Sequence, residues 1–168
     1  MSAIEQVAER FRNALGSKVE RYLGEITPLM IRRYALAIAD DNPVYHDKGF
    51  AQSLGYPDVL APPNMLASIV EWGVGGREED LRRDGTQIAD DSVPLGSMEG
   101  VRIKGGGEEM FFYRPVVAGT HVTLTSEIID TYTKQGKKGP IAFLVIKNTY
   151  RDQDGALLST CNRTVLVH

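Results

Sequence analysis

Apolar positions recur at helical spacing in the first third of the chain and at a spacing of two in the last third. Ile4, Val7, Phe11 and Leu15 fall on one helical face, so Ser2 to Leu15 reads as an amphipathic helix on the outside of the domain, stopped by Gly16. Val19 to Gly24 reads as a short extended piece. Thr27 is placed to cap a helix from Pro28 to Ala39, with proline at the first helical position, where its missing N–H is not needed. Met30, Ile31, Tyr34, Ala35 and Ile38 form its expected buried face. A polar loop over 39–48 follows, then a short helix from Lys48 to Leu54 with Gly55 at its end. A Pro-rich turn, Tyr56 to Pro63, leads into a helix from Asn64 to Trp72 that is apolar nearly all round and so belongs inside the fold.

Between Gly73 and Gly96 the pattern fails, which predicts a flexible connection with at most one helical turn near Arg77 to Arg83. A connection of that length inside one domain is uncommon and points to a lid or a partner-contacting segment. Beyond it, Ser97 to Lys104, Glu108 to Val117, Thr120 to Lys134, Pro140 to Asp152 and Ala156 to Val167 read as strands, rich in Val, Ile, Thr, Phe and Tyr. Asp154-Gly155 marks a hairpin and Gln135 to Gly139 a longer one. Gly105-Gly106-Gly107, with no helix after it and no Lys-Ser/Thr, is a loop or bulge between strands and not a phosphate loop. Helices first and an antiparallel meander last make an α+β domain spanning 1–168, with 1–25 as helix and lead-in. A sheet wrapped around one central helix is the hot-dog arrangement, and its open edge favours pairing of two sheets into a dimer.

Composition narrows the setting. The 168 residues are 42% hydrophobic and 24% charged, with a net charge of -3, ordinary for a globular domain. No Lys/Arg stripe is present to neutralise phosphates, so no nucleic-acid partner is expected. The single Cys161 excludes an internal disulfide and suits a reducing, cytoplasmic setting; in a strand it reads as an inert small hydrophobe. No apolar run approaches the roughly 18 residues of a membrane span, and MSAIEQVAERF lacks a signal peptide's apolar core. His121 and His168 have no metal-ligand spacing, so no metal is expected.

The candidate chemistry is concentrated in one loop: Asp40, Asp41, Asn42, Tyr45, His46 and Asp47 lie within eight residues. Each has a plain reading too. Asp40 and Asn42 suit turn chemistry. His46 suits a loop histidine bonded to Asp47, and Tyr45 a half-buried packing residue. Trp72 and Met65 are either contacts for an apolar ligand or core. Arg82 and Arg83, beside Glu78, Glu79 and Asp80, read as a solvated helical face.

Asp40-Asp41-Asn42-Pro43-Val44-Tyr45-His46-Asp47, the short helix after it, Pro62-Pro63, and Phe112-Tyr113-Arg114-Pro115-Val116-Val117-Ala118-Gly119-Thr120 together resemble the MaoC-like branch of the hot-dog superfamily. That branch contains (R)-specific enoyl-CoA hydratases and 3-hydroxyacyl dehydratases. Its catalytic members carry Asp-x-Asn-Pro-x-His-x-Asp and then His-Gly opening the central helix. The resemblance implies a coenzyme A thioester as substrate and no further cofactor.

Two departures matter. Tyr45 occupies the histidine position, and a phenol with a reference pKa of about 10 is a poor base near neutrality. His46 is one residue along, on the opposite side of an extended loop. Pro63 stands where the family's glycine offers a backbone N–H to the thioester oxygen, a donor whose loss typically slows such reactions about 100- to 1000-fold. The pattern is similar to the N-terminal, FAS1-like dehydratase subgroup, in which a silent half gives room to the acyl chain and a partner supplies the catalytic Asp and His. By that resemblance Asn42, Pro62, Pro63, Asn64 and Met65 would line the acyl site, and Lys104 and Arg114 would meet coenzyme A phosphates. The expected protein is a silent component paired with a catalytic MaoC-like subunit. The alternatives are a self-sufficient homodimeric hydratase using Asp40 or Asp41 with His46, and a non-enzymatic acyl-CoA binder.

Overall fold

A computed structural model of the chain describes residues 2–71, 77–81, 83, 85, 101–137 and 139–168. The elements are α1 (Ala3–Asn13), β1 (Lys18–Glu25), α2 (Pro28–Ala37), α3 (Lys48–Ser53), β2 (Ile103–Phe112), β3 (His121–Gly136), β4 (Gly139–Arg151) and β5 (Leu157–Val167). The strands form one antiparallel sheet in the order β1-β3-β4-β5-β2, leaving β1 and β2 at its two edges. This is the expected α+β hot-dog arrangement.

The core follows from alternation along β4. Ala142, Leu144, Ile146, Asn148 and Tyr150 are all buried and, two apart, all face one side. The first three pack with Val7, Ala8 and Phe11 of α1, while Tyr150 packs with Met65, Leu66, Ala67 and Val70 of the central turn. Helix α1 and the central turn thus cover two halves of the same sheet face, and α1 is part of the core as well as of the exterior. Each fully buried Leu, Met or Phe side chain there contributes roughly 1.5–3 kcal/mol.

Caps set the helix ends. Ser2 Oγ accepts the Glu5 N–H and the Glu5 carboxylate accepts the Ser2 N–H, a reciprocal pair that starts α1. Thr27 caps α2 through the Met30 N–H, with Pro28 at its first position. The central helix is shorter than its apolar run: Leu66–Val70 is a wide π-type turn, in which the Glu71 N–H bonds to the Leu66 carbonyl. Trp72 lies outside the described residues, as does most of 73–96. The described piece Glu78–Asp80 is a single tight turn, with Arg77 paired to Glu79 and Asp80.

The extended piece expected over Val19 to Gly24 is present as the edge strand β1, paired with β3. Two expectations are corrected. Ile38 is 48% exposed and not on the buried face of α2, because the helix ends at Ala37 and the chain turns away. Ile103-Lys104 and Glu108 to Phe112, expected in two strands flanking the glycines, belong to one strand, and residues 97–100 of the first expected strand lie outside the described residues. Among the described residues there is one strand, β2, which runs through Gly105-Gly106-Gly107 with a bulge in its pairing to β5. A Cβ on Gly106 would lie 3.0 Å from Thr164, and Gly107 has φ 130°, so glycines let the strand pass there without breaking. Strand β2 stops at Phe112 because the Tyr113 and Arg114 N–H groups share the Leu158 carbonyl and Pro115 has no N–H to continue the ladder.

Cys161 is fully buried, and burial first, then the charge of Glu108, pushes its thiol up to about 11. Ellman's reagent at pH 8 should therefore label it about 100-fold more slowly in the native chain than in denaturant, since only the thiolate reacts. The folded thiol holds its proton more tightly than the unfolded one. Its contribution to stability is thus complete below a pH of about 8.5 and is lost as pH rises towards about 11.

Candidate functional site

The loop after α2 is built by backbone geometry before any chemistry. The Asp40 N–H bonds to the Ala35 carbonyl (2.9 Å) and the Ala39 N–H to the Leu36 carbonyl (3.2 Å), the paired bonds of a left-handed helix end. Ala39 takes φ 56° there, a position usually given to glycine. Asp40 Oδ1 then accepts the Asn42 N–H, Asn42 Oδ1 accepts the Val44 N–H, and Asp47 Oδ1 caps α3 through the Phe50 N–H. Pro43–Tyr45 forms a tight turn between them.

That turn sends Tyr45 and His46 to different sides. Tyr45 is partly buried against the first core cluster and lines a cleft of ≈ 320 Å³ with Pro63, Phe112 and Arg114. Burial first, and then the nearby Asp40 charge, raises its phenol above the usual value, so at neutral pH it is a protonated hydrogen-bond donor and not a base. His46 lies across the loop in a hollow with Asp40, Asp41, Asp47 and Arg32, and its Nε2 sits 2.9 Å from the Asp40 carbonyl oxygen. It thus braces the loop and does not enter the Tyr45 cleft.

A second cleft of ≈ 480 Å³ holds Asp40, Pro62, Pro63, Asn64 and Ile38 and shares Pro63 and Phe112 with the first. The structure thus gathers Asp40, Tyr45, Pro62, Pro63, Asn64 and Arg114 around one turn. Other residues singled out from the sequence lie apart. Met65 is fully buried in the core, Asn42 is spent on its turn, and Lys104 lies at a third cavity ten strand positions, roughly 30 Å, from Arg114. The Pro62-Pro63 turn is held in place on both sides. The Leu60 N–H reaches the Val44 carbonyl, the Ala61 N–H the Val116 carbonyl, and the Ala118 N–H the Val59 carbonyl. Among the described residues no group of three His, Cys, Asp or Glu is placed to hold a metal, and no helix is long and apolar enough to cross a membrane.

One constellation had escaped the sequence reading. Glu71, at the end of the central turn, is 3% exposed and accepts hydrogen bonds from Asn148 Nδ2 (3.0 Å), from the Tyr150 hydroxyl and from Arg163. Arg163 also binds Glu108 through Nε (2.6 Å). Burial works to lower the Arg163 pKa, but Glu71 and Glu108 outweigh it and raise it; Tyr150 is raised by burial and by the Glu71 charge. The sequence signal was available: a Glu inside an apolar helical run, and an Arg at an inward strand position.

Replacing Glu71 with Ala should destabilise the chain by about 3–5 kcal/mol, because Arg163, largely shielded from water, would lose the carboxylate that accepts its Nη1. A urea titration of the variant against the native chain measures this, and a loss under about 1 kcal/mol would mean that the network is wet and weak.

Residues 13–161 match the model of a family described as FAS1-like, dehydratase domain region. A UPF0336 protein of Thermobifida fusca is 32% identical over 114 residues, covering 68% of this chain and 66% of that one. A probable enoyl-CoA hydratase alpha subunit of Thermomonospora curvata is 26% identical over 162 residues, covering 90% of this chain and 50% of that protein. The chain therefore spans between half and two thirds of the length of these curated relatives. Among solved structures, a chain of the ChsH1-ChsH2 complex from Mycobacterium tuberculosis superimposes with a TM-score of 0.72 at 22% identity, covering 97% of this chain and 89% of that one, a likeness of fold. The chain belongs to the FAS1-like dehydratase domain region family, on the MaoC-like hot-dog fold.

Proposed function

We propose that the chain is the acyl-CoA-binding component of a 2-enoyl-CoA hydratase or 3-hydroxyacyl-CoA dehydratase of lipid metabolism, silent by itself and paired with a catalytic MaoC-like hot-dog subunit. The observation that carries this reading is the division of the loop: a phenol faces the cleft, and the only imidazole nearby is turned to the other side on the Asp40 carbonyl. Hydration of an enoyl thioester needs a base to take a proton from water and a donor for the developing enolate oxygen. Tyr45 is a poor base, and Pro63 has no N–H to give.

What remains suits binding. The joined clefts are walled by Phe112, Met110, Leu60 and Val116, with Arg114 at the rim of the first as a cation for a coenzyme A phosphate. Asp40, Pro62, Pro63 and Asn64 line the acyl entrance. The edge strand β2 offers unpaired backbone and exposes Phe111, Phe112 and Tyr113, an edge suited to a second hot-dog sheet. The named enoyl-CoA hydratase alpha subunit and the two-protein ChsH complex among its relatives favour a heteromeric arrangement.

The test is hydration of crotonyl-CoA and longer enoyl-CoAs, followed by loss of enoyl absorbance. The chain alone should show no turnover above background. With a catalytic MaoC-type subunit co-expressed, activity should appear and should vanish when that subunit's Asp or His is changed. Brisk turnover by the purified chain alone, abolished by His46→Ala, would instead establish the self-sufficient enzyme. A stable acyl-CoA complex with no activity in any pairing would leave a binding module.

A further inference from the structure

Helix α2 buries Ile31, Tyr34 and Ala35 and turns Leu29, Arg32, Arg33 and Leu36 to solvent. Leu29, Arg32 and Leu36 stand at i, i+3 and i+7, so they form one stripe along the outside of the helix, about 10 Å from end to end. The solvent side of such a helix is ordinarily polar, yet Leu29 and Leu36 are each more than half exposed, and Ile38 just past the helix end is nearly so. One exposed aliphatic residue is ordinary, but three so close together make a patch.

The charges around this stripe are not neutralised within the chain. Among the described residues neither Arg32 nor Arg33 forms an ion pair, and neither do Asp40, Asp41 and Asp47. Arg32 and Leu36 nevertheless wall the same hollow of ≈ 730 Å³ as those three carboxylates. The cations precede Leu36 along the chain and the carboxylates follow it. Such a surface, with opposite charges on either side of an apolar centre, is complementary to itself. Under a two-fold axis near Leu36, Arg32 and Arg33 of each copy meet Asp41 and Asp47 of the other, and the leucine stripes of both are covered. A partner bearing a single sign of charge would instead face like charge over half of the patch.

We propose that the outer face of α2, together with the loop over 40–47, is a contact between two copies of this chain, separate from the β2 edge assigned above to a catalytic subunit. The patch offers about ten residues a side, against roughly 20–30 in an interface of standard size, so the pairing is weak and depends on concentration. Its charges lie at the surface, so it also depends on salt. Ile38 and Asp40 line the second cleft as well, and the contact and the candidate site therefore share a wall.

Sedimentation of the purified chain over a concentration series tests this. The mass should rise from that of one chain to that of two, and the dissociation constant should increase about tenfold between roughly 0.05 and 0.5 M salt. Leu36→Arg, at an exposed position where the fold is not at risk, should weaken the pairing at least about tenfold. The double change Arg32→Glu with Arg33→Glu should weaken it, and so should Asp41→Lys. Mixing these two charge-reversed forms should restore a dimer, because each then presents the sign that the other lacks. A chain that stays monomeric up to about 1 mM would overturn the proposal. So would charge-reversed forms that fail to recover on mixing. A dimer indifferent to Leu36→Arg would lie on another surface, such as the β2 edge, and would overturn it too.

Discussion

Glu71 is a carboxylate that is 3% exposed, and a charge so far from water must be met by donors or the fold does not form. It is met by Asn148 and Tyr150 from β4 and by Arg163 from β5, and Arg163 passes the link on to Glu108 of β2. This places the polar group at the seam between the α1 half of the core and the central-turn half. The consequence reaches the candidate site. The end of the central turn is fixed to three strands, its start at Pro62-Pro63 is fixed by the bonds of Leu60, Ala61 and Ala118, and the clefts between turn and edge strand inherit their shape from both anchors.

The same seam separates the candidate site from the ion network. On one side Tyr45, Asp40, Pro63 and Arg114 gather around the Pro62-Pro63 turn; on the other Glu71, Arg163 and Glu108 tie the central turn to β5 and β2. The loop bearing the candidate groups is shaped by helix-end and Asx geometry, with Ala39 held in a left-handed conformation that an alanine does not prefer. Tyr45 and His46, adjacent in sequence, cannot exchange places without undoing the Asp40 and Asn42 turns that hold them.

Much of this was legible in the sequence because local chemistry agreed with the fold. Thr27-Pro28 marked the start of α2, Asp154-Gly155 the β4–β5 hairpin with Gly155 at φ 77°, and the spacing of two gave β3, β4 and β5 nearly to their ends. The family resemblance rested on residues that the structure does bring to one turn, Tyr45 and Pro63 among them. What was not legible depended on distant partners. The triple glycine read as a loop or bulge between two strands, and it is a bulge within one, because nothing local shows that Thr164 lies against Gly106. Ile38 fits the helical spacing, yet the helix ends one residue earlier. Glu71 and Arg163, 92 positions apart, carry no local mark of their pairing.

If the chain is the silent half of a heteromeric hydratase, as proposed, none of its groups moves a proton during the reaction. The decisive measurement is the pH dependence of kcat/KM for enoyl-CoA hydration by the co-expressed pair, with native, Tyr45→Phe and His46→Ala forms of this chain compared side by side. Both limbs of the profile should keep their positions and kcat should change by less than about threefold, a fraction of the roughly 100-fold or more expected for losing a general base. Disappearance of a limb, or a collapse of kcat, in the His46→Ala form would contradict it.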